Sequence, residues 1–475
     1  MDSNPQNALE ELKALSSLIQ DSIGTIETSL QAAGKEFPSP NTPITPESEA
    51  ARMIPEVSQA SALIVSAAYQ LISSVRSPVL SALTVSTQYA LTAALGVAAA
   101  ANVAEALREA GPQGAHVKDI ARASCIDPSK LARILRLLAT NHIFVELSPD
   151  VFANNRISSC LDTGKSVQSI LDSPETKHVG ARGVASGVGH CSDEILKTAA
   201  YLQEAVLDPR IASSGEPNET AFNVAFKTEL PVWEWLEQKG NEFRLARFGA
   251  FMAATKQATP PNAIVEGFDW QGLPEGAVVV DVGGGVGGHS LVLAQNFPHL
   301  RIVVQDREPV LKDAPPHWDS ALPGALTSGR ATLQAHDFFT PQPIKDASVF
   351  LLRVVIHDWS DKYALRILRP LREAATPNTR LIIVENFSAH ACEDDTVKSI
   401  PGAERPAPPK PLLPNGGHAS TISYQSDIQM MEAVNGQERT IKEFQNILQQ
   451  SGWKMSSVHL QPRSYPMGKI IAVPA

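Results

Sequence analysis

Basic charge is in short supply in this 475-residue chain: 40 Lys and Arg stand against 50 Asp and Glu, a formal net charge of −10. Such a surface does not seek polyanions, which argues against nucleic acid and acidic membranes as partners and favours small or apolar ligands. Cysteine is scarce too. Cys125, Cys160, Cys191 and Cys392 lie far apart, with neither CxxC spacing nor the density of a disulfide scaffold, and point to a reducing, cytoplasmic setting. The amino terminus has no basic stretch leading into an apolar core and carries Asp2, Glu10, Glu11, Asp21 and Glu27 instead, which disfavours a secretory or transit peptide. Long apolar runs are missing as well. The most membrane-like stretch, residues 89–104, is uncharged but short and alanine-rich, and with Thr92 and Asn102 in it reads as a buried helix rather than a span.

The chain is too long for one core, so two or three units are expected. Residues 1–55 show acidic helical patterning and a Pro/Ser/Thr-rich linker at 37–46. Residues 57–110 are mostly small and apolar, broken at Pro78, as closely packed helices or a subunit interface require. Residues 117–155 read as helix, turn, helix and two short strands around Ser148-Pro149-Asp150, the order of a winged helix-turn-helix. Lys130, Arg133 and Arg136 recur along its second helix and could read DNA. With an acidic chain they read better as the solvated face opposite Leu131, Ile134, Leu135 and Leu138.

Beyond residue 260, apolar runs alternate with helical segments. Strands are expected at 277–282, 301–305, 331–335, 349–356 and 380–384, with a closing hairpin-like pair at 455–460 and 469–473 joined by 461–468. The fold class is α/β, a doubly wound parallel sheet. Residues 388–421, with prolines at 401, 406, 408, 409, 411 and 414, interrupt the scheme and read as a lid or a disordered loop, disorder at the tip being the plainer expectation.

The chemistry concentrates after the strands. Gly283, Gly285 and Gly288 satisfy GxGxxG behind an apolar strand ending in Asp281, and open a helix at about His289, so backbone NH groups can approach a ligand closely. Asp306 ends the next strand, where a carboxylate can bind both hydroxyls of a ribose. Asp337-Phe338-Phe339 follows the third strand, and His357-Asp358-Trp359-Ser360-Asp361 the fourth. The glycine motif alone does not separate NAD from another adenosine cofactor, which leaves an NAD(P)-dependent oxidoreductase and a winged-helix DNA-binding regulator open.

With Glu385 at the next strand end and Asn435-Gly436-Gln437-Glu438-Arg439-Thr440 beyond it, the chain from about residue 65 onward resembles the S-adenosylmethionine-dependent O-methyltransferases of the caffeic acid type, above all their fungal secondary-metabolite branch. The resemblance implies a Rossmann-like methyltransferase domain over 166–475 and a mainly helical, winged-helix dimerisation region over 1–165. It implies a homodimer that uses S-adenosylmethionine to methylate a hydroxyl of an aromatic small molecule without a metal. Such a transfer needs an oxygen held in line behind the methyl group and a base for its proton. A phenol near pKa 10 and an ordinary histidine near 6.5 differ by about 3.5 units, about 5 kcal/mol, so the sulfonium charge is expected to lower the phenol pKa while carboxylates beside the histidine raise its basicity and fix its tautomer. By the resemblance His357 is that base, bracketed by Glu385 and Glu438. Gly283, Gly285, Asp306, Asp337 and Arg353 look like cofactor contacts, with Phe338 over the adenine. Arg353 replaces the lysine usual in plant members, a fork in place of a point charge. Asp358 can orient the base or cofactor, or cap a helix. Phe248, Met252, Met431 and Asn435 are the implied substrate walls, although the loop before Glu438 is shorter than in plant members.

Overall fold

The computed structural model describes residues 5–181, 183–257, 263–461 and 467–475. It packs as two units, Met1–Leu207 with Ala221–Ala258, and Asp208–Thr220 with Thr259–Ala475. The chain passes between these units at 207/208, 220/221 and 258/259. Residues 166–207 and 221–257 are largely helical and pack with the upstream helices: Val184–His190 contacts both Tyr89–Ala100 and Glu242–Gln257, and a Cβ on Gly187 would stand 2.7 Å from the Phe251 ring.

In the helical unit, Pro5–Ala33 packs along Pro55–Val75. Ala94, Ala98, Ala101, Val103 and Leu107 join Leu131, Leu135 and Leu138 in one core, so close packing holds from Ala94 onward. It fails just before. Val79, Leu80, Leu83, Val85 and Tyr89 are 54 to 70% exposed, and Pro78–Ala100, long and apolar enough to cross a membrane by length and composition alone, has 17% of its most apolar window buried. Residues 117–155 form the elements read from the sequence: helices Val117–Ser124 and Pro128–Thr140, the second capped by Asp127, and strands β1 (Ala115–His116), β2 (Val145–Ser148) and β3 (Val151–Ala153), antiparallel in the order β1-β3-β2. Arg136 is ion-paired with Asp150 at 2.7 Å and Glu146 at 3.5 Å, so it offers no open cation to a phosphate.

The second unit is built on β4 (Val278–Val282), β5 (Arg301–Asp306), β6 (Ala331–Ala335), β7 (Val349–Arg353), β8 (Arg380–Asn386), β9 (Trp453–Leu460) and β10 (Met467–Pro474), in the sheet order β6-β5-β4-β7-β8-β10-β9. All pairings are parallel except those of β10, which runs antiparallel to both neighbours. The segment expected to join β9 to β10 lies mostly outside the described residues. The inner strands are nearly continuous Val, Ile and Leu because both faces are covered: Val280, Leu352 and Ile383 face one buried cluster, Val279, Leu351 and Ile382 the other. Parallel strands deliver their following loops to one edge, so Gly283, Asp306, Asp337, His357 and Glu385 share it.

Two expectations are corrected here. The fourth strand ends at Arg353 rather than 356, because Val354 adopts φ +53°, a left-handed conformation that no strand continues through and that costs a β-branched residue about 1–3 kcal/mol. The 388–421 stretch is anchored rather than disordered: Ile400, Ala403 and Leu412 are buried, Val458 NH donates to Pro401 O at 2.8 Å, and Tyr424 Oη donates to Ala389 O at 2.6 Å.

Candidate active site

His357 sits on the single turn Ile356–Asp358 that follows the strained Val354. The turn is held by its main chain. Glu385, fully buried at the end of β8, receives on Oε1 the NH groups of Val355 at 3.0 Å, Ile356 at 2.8 Å and, more weakly, His357 at 3.4 Å. From the other side, the fully buried Arg439 donates to Ile356 O at 3.1 Å and Trp359 O at 2.7 Å while its fork grips Asp361 Oδ1 at 2.8 and 2.9 Å. Gln437 NH closes the last carbonyl, His357 O, at 2.8 Å. The HDWSD and NGQERT motifs are thus two halves of one lock.

The ring has its own partner. His357 Nδ1 lies 3.0 Å from Glu438 Oε1, and Nε2 lies 3.4 Å from Asp358 Oδ1. Only Glu438 of the two expected glutamates meets the imidazole; Glu385 supports it through the backbone. Burial works against an imidazolium, but Asp358, Glu385 and Glu438 outweigh it and push His357 up to about 10. Burial likewise pushes the Glu385 carboxyl up to about 7, against the opposing pull of His357, and raises Asp358. Donor atoms of His357, Glu385 and Glu438 fall within 4.8 Å of one another, the span of a metal site. In this arrangement Oε1 of each glutamate accepts hydrogen bonds, while the buried Oε2 of each has no hydrogen-bond partner among the described residues.

The glycine loop is shaped for close approach. Gly283, Gly285 and Gly287 adopt φ +71°, +62° and +81°, and a Cβ on Gly283 would stand 2.9 Å from Val355 Cγ2. Asp306 Oδ2 accepts Gly285 NH at 2.7 Å, which sets that carboxylate against the loop. Phe338 comes to the same place, its Cε1 3.7 Å from the Gly283 Cβ position, within an aromatic group with Phe339 and Trp359. A loop open at its glycines, a carboxylate at the next strand end and a flanking ring suit a nucleoside. Asp337, exposed, turns the chain there by accepting Phe339 NH at 3.0 Å.

The remaining expected residues are less gathered. Arg353 places Nη2 3.6 Å from Met467 Sδ and lines a small cleft with His289, Val384 and His459. The amide of Asn435 donates to Glu216 O at 2.8 Å and Glu219 O at 3.1 Å, tying segment 208–220 to the end of helix Thr421–Val434. Met431 is half-buried on that helix. Phe248 and Met252 belong to the helical unit, where Phe248 packs edge-on to His190 and against Trp233. The sequence reading missed Arg439, Gln437 and Ser426. Arg439 stood in a quoted motif, but only the fold reveals that its guanidinium reads carbonyls some 80 residues away.

Two families match this chain: an O-methyltransferase dimerisation domain over residues 83–164 and an O-methyltransferase domain over residues 200–400. An O-methyltransferase of Armillaria gallica is 44% identical over 94% of this chain and 95% of its own length. The 4-O-methyltransferase 1 of Phanerochaete chrysosporium is 40% identical over 94% and 95%. Among solved structures, a mitomycin 7-O-methyltransferase is similar at TM-score 0.62 and 25% identity, over 84% of this chain and 98% of that one.

Proposed function

This chain belongs to the O-methyltransferase family, and on that premise we propose that it transfers a methyl group from S-adenosylmethionine to a hydroxyl of an aromatic small molecule, with His357 as general base. The observation that carries the reading is the 3.0 Å contact of His357 Nδ1 with Glu438 at the carboxyl edge of the sheet. In a neutral ring with its proton on Nδ1, Nε2 takes the proton, and Asp358 Oδ1, 3.4 Å from it, favours the imidazolium that results. The bound donor supplies an electrophilic methyl group on a sulfonium. Gly283, Gly285, Asp306 and Phe338 hold its nucleoside, with Asp337 and Arg353 as further contacts. The acidic cage supports a phenolic acceptor: with His357 near 10, the proton-transfer gap to a phenol of pKa about 10 nearly closes, whereas an aliphatic hydroxyl is a far weaker acid. Met431, on the helix that also carries Ser426, supplies an apolar wall. The chain works as a homodimer without a metal, and activity survives a chelator. Neither the oxidoreductase nor the DNA-regulator reading is retained.

The test is His357→Ala in the full-length protein. Turnover falls at least a hundredfold, the low end of general-base contributions, while affinity for S-adenosylhomocysteine measured by calorimetry is unchanged. Near-normal turnover removes His357 from the role. Acceptors are found by screening phenols for the mass gain of one methyl group with labelled donor.

A further inference from the structure

Glu438, the partner of the base, is itself held by an element that carries neither residue. Its backbone NH donates to Asp427 Oδ1 at 2.8 Å, and the hydroxyl of Ser426 donates to its Oε1 at 2.8 Å. Both residues lie on helix Thr421–Val434. Oε1 therefore accepts the Ser426 hydroxyl and lies 3.0 Å from His357 Nδ1, while the buried Oε2 has no hydrogen-bond partner among the described residues.

This asymmetry gathers the side-chain contacts of Glu438 on one oxygen. A carboxylate oxygen at Oε1 is met by Nδ1–H when the imidazole is neutral. We propose that Ser426 is a positioning residue of the methyl transfer: its hydroxyl holds Glu438 Oε1 in place as the acceptor for His357 Nδ1–H, so that the neutral imidazole keeps its proton on Nδ1 and turns the Nε2 lone pair to the acceptor hydroxyl. The proposal rests on the reading of His357 as the base. The other charged groups around the ring act elsewhere: Asp358 Oδ1 lies 3.4 Å from Nε2, Glu385 holds the backbone, Asp427 holds Glu438 NH, and Arg439 holds carbonyls. None of these places a second donor on Oε1.

The experiment compares Ser426→Ala and Ser426→Thr with the parent enzyme on a phenolic acceptor. For Ser426→Ala, kcat falls about tenfold, the scale of one hydrogen bond to a charged group, while KM and S-adenosylhomocysteine affinity stay within about twofold. Ser426→Thr, which keeps the hydroxyl, recovers most of that loss. In nitrogen NMR of labelled histidine above the ring's titration, the parent shows Nδ1 protonated and Ser426→Ala a tautomer mixture. Unchanged kcat in Ser426→Ala, a loss that Ser426→Thr does not recover, a loss that tracks only a lowered Tm, or an unaltered tautomer overturns the proposal. If His357→Ala is nearly inactive while Ser426→Ala behaves as the parent, this inference fails alone; if His357→Ala turns over normally, the base assignment fails with it.

Discussion

Three carboxylates around one imidazole decide what the free protein does with a proton. His357 is raised to about 10, so below that pH it is an imidazolium and has no lone pair for a hydroxyl. Activity through this group is therefore lost as pH falls and gained as pH rises. We predict that kcat/KM climbs roughly tenfold per unit from neutrality toward about pH 10, where the deprotonated fraction saturates. The kcat profile levels at lower pH, because a bound cationic donor disfavours a second positive charge beside it. A kcat/KM profile flat between pH 7 and 10 would remove the carboxylate cage from this account. Which acid does what was not legible beforehand. Glu385 and Glu438 are equally acids at the ends of segments, and no pattern in a sequence tells a carboxylate that grips three main-chain NH groups from one that grips a ring. That difference is set by the backbone turn which Val354 forces at its positive φ.

At the scale of elements, the strands were readable because burial on both faces writes continuous β-branched runs, and the glycine loop because its positive φ values demand glycine. The stretch 388–421 was misread because its anchors, Ile400, Ala403 and Leu412, are single apolar residues scattered among prolines, without a period to detect. Gly436 is the element-scale counterpart of the lock. A Cβ there would meet His357 O at 2.1 Å and Asp358 C at 2.9 Å, both main-chain atoms that cannot swing aside. Gly436→Ala is expected to cost about 1–3 kcal/mol of stability, the range of an overpacked core, and to reduce kcat at least tenfold. Thermal melting and initial rates check it, and a variant that melts and turns over like the parent would show that the two loops have more room than these distances allow.

For the whole molecule, residues 166–207 and 221–257 form many short helices that pack on one another and on the upstream helices, and short helices leave weak periodicity in a sequence. The apolar side left open at 78–89 adjoins and enters the segment matched by the dimerisation domain. With a second copy as its cover, Leu83→Glu should convert the dimer to a monomer in sedimentation at micromolar concentration, since a buried unpaired carboxylate costs several kcal/mol. Persistence of the dimer would place the subunit contact elsewhere. The lock around His357 has a consequence for how such a protein diversifies. Its grips fall on amide hydrogens and carbonyl oxygens, which every residue but proline carries in the same form. Mutation can therefore redecorate the neighbouring positions, and with them the preference for one natural product over another, while the proton-handling apparatus is inherited intact.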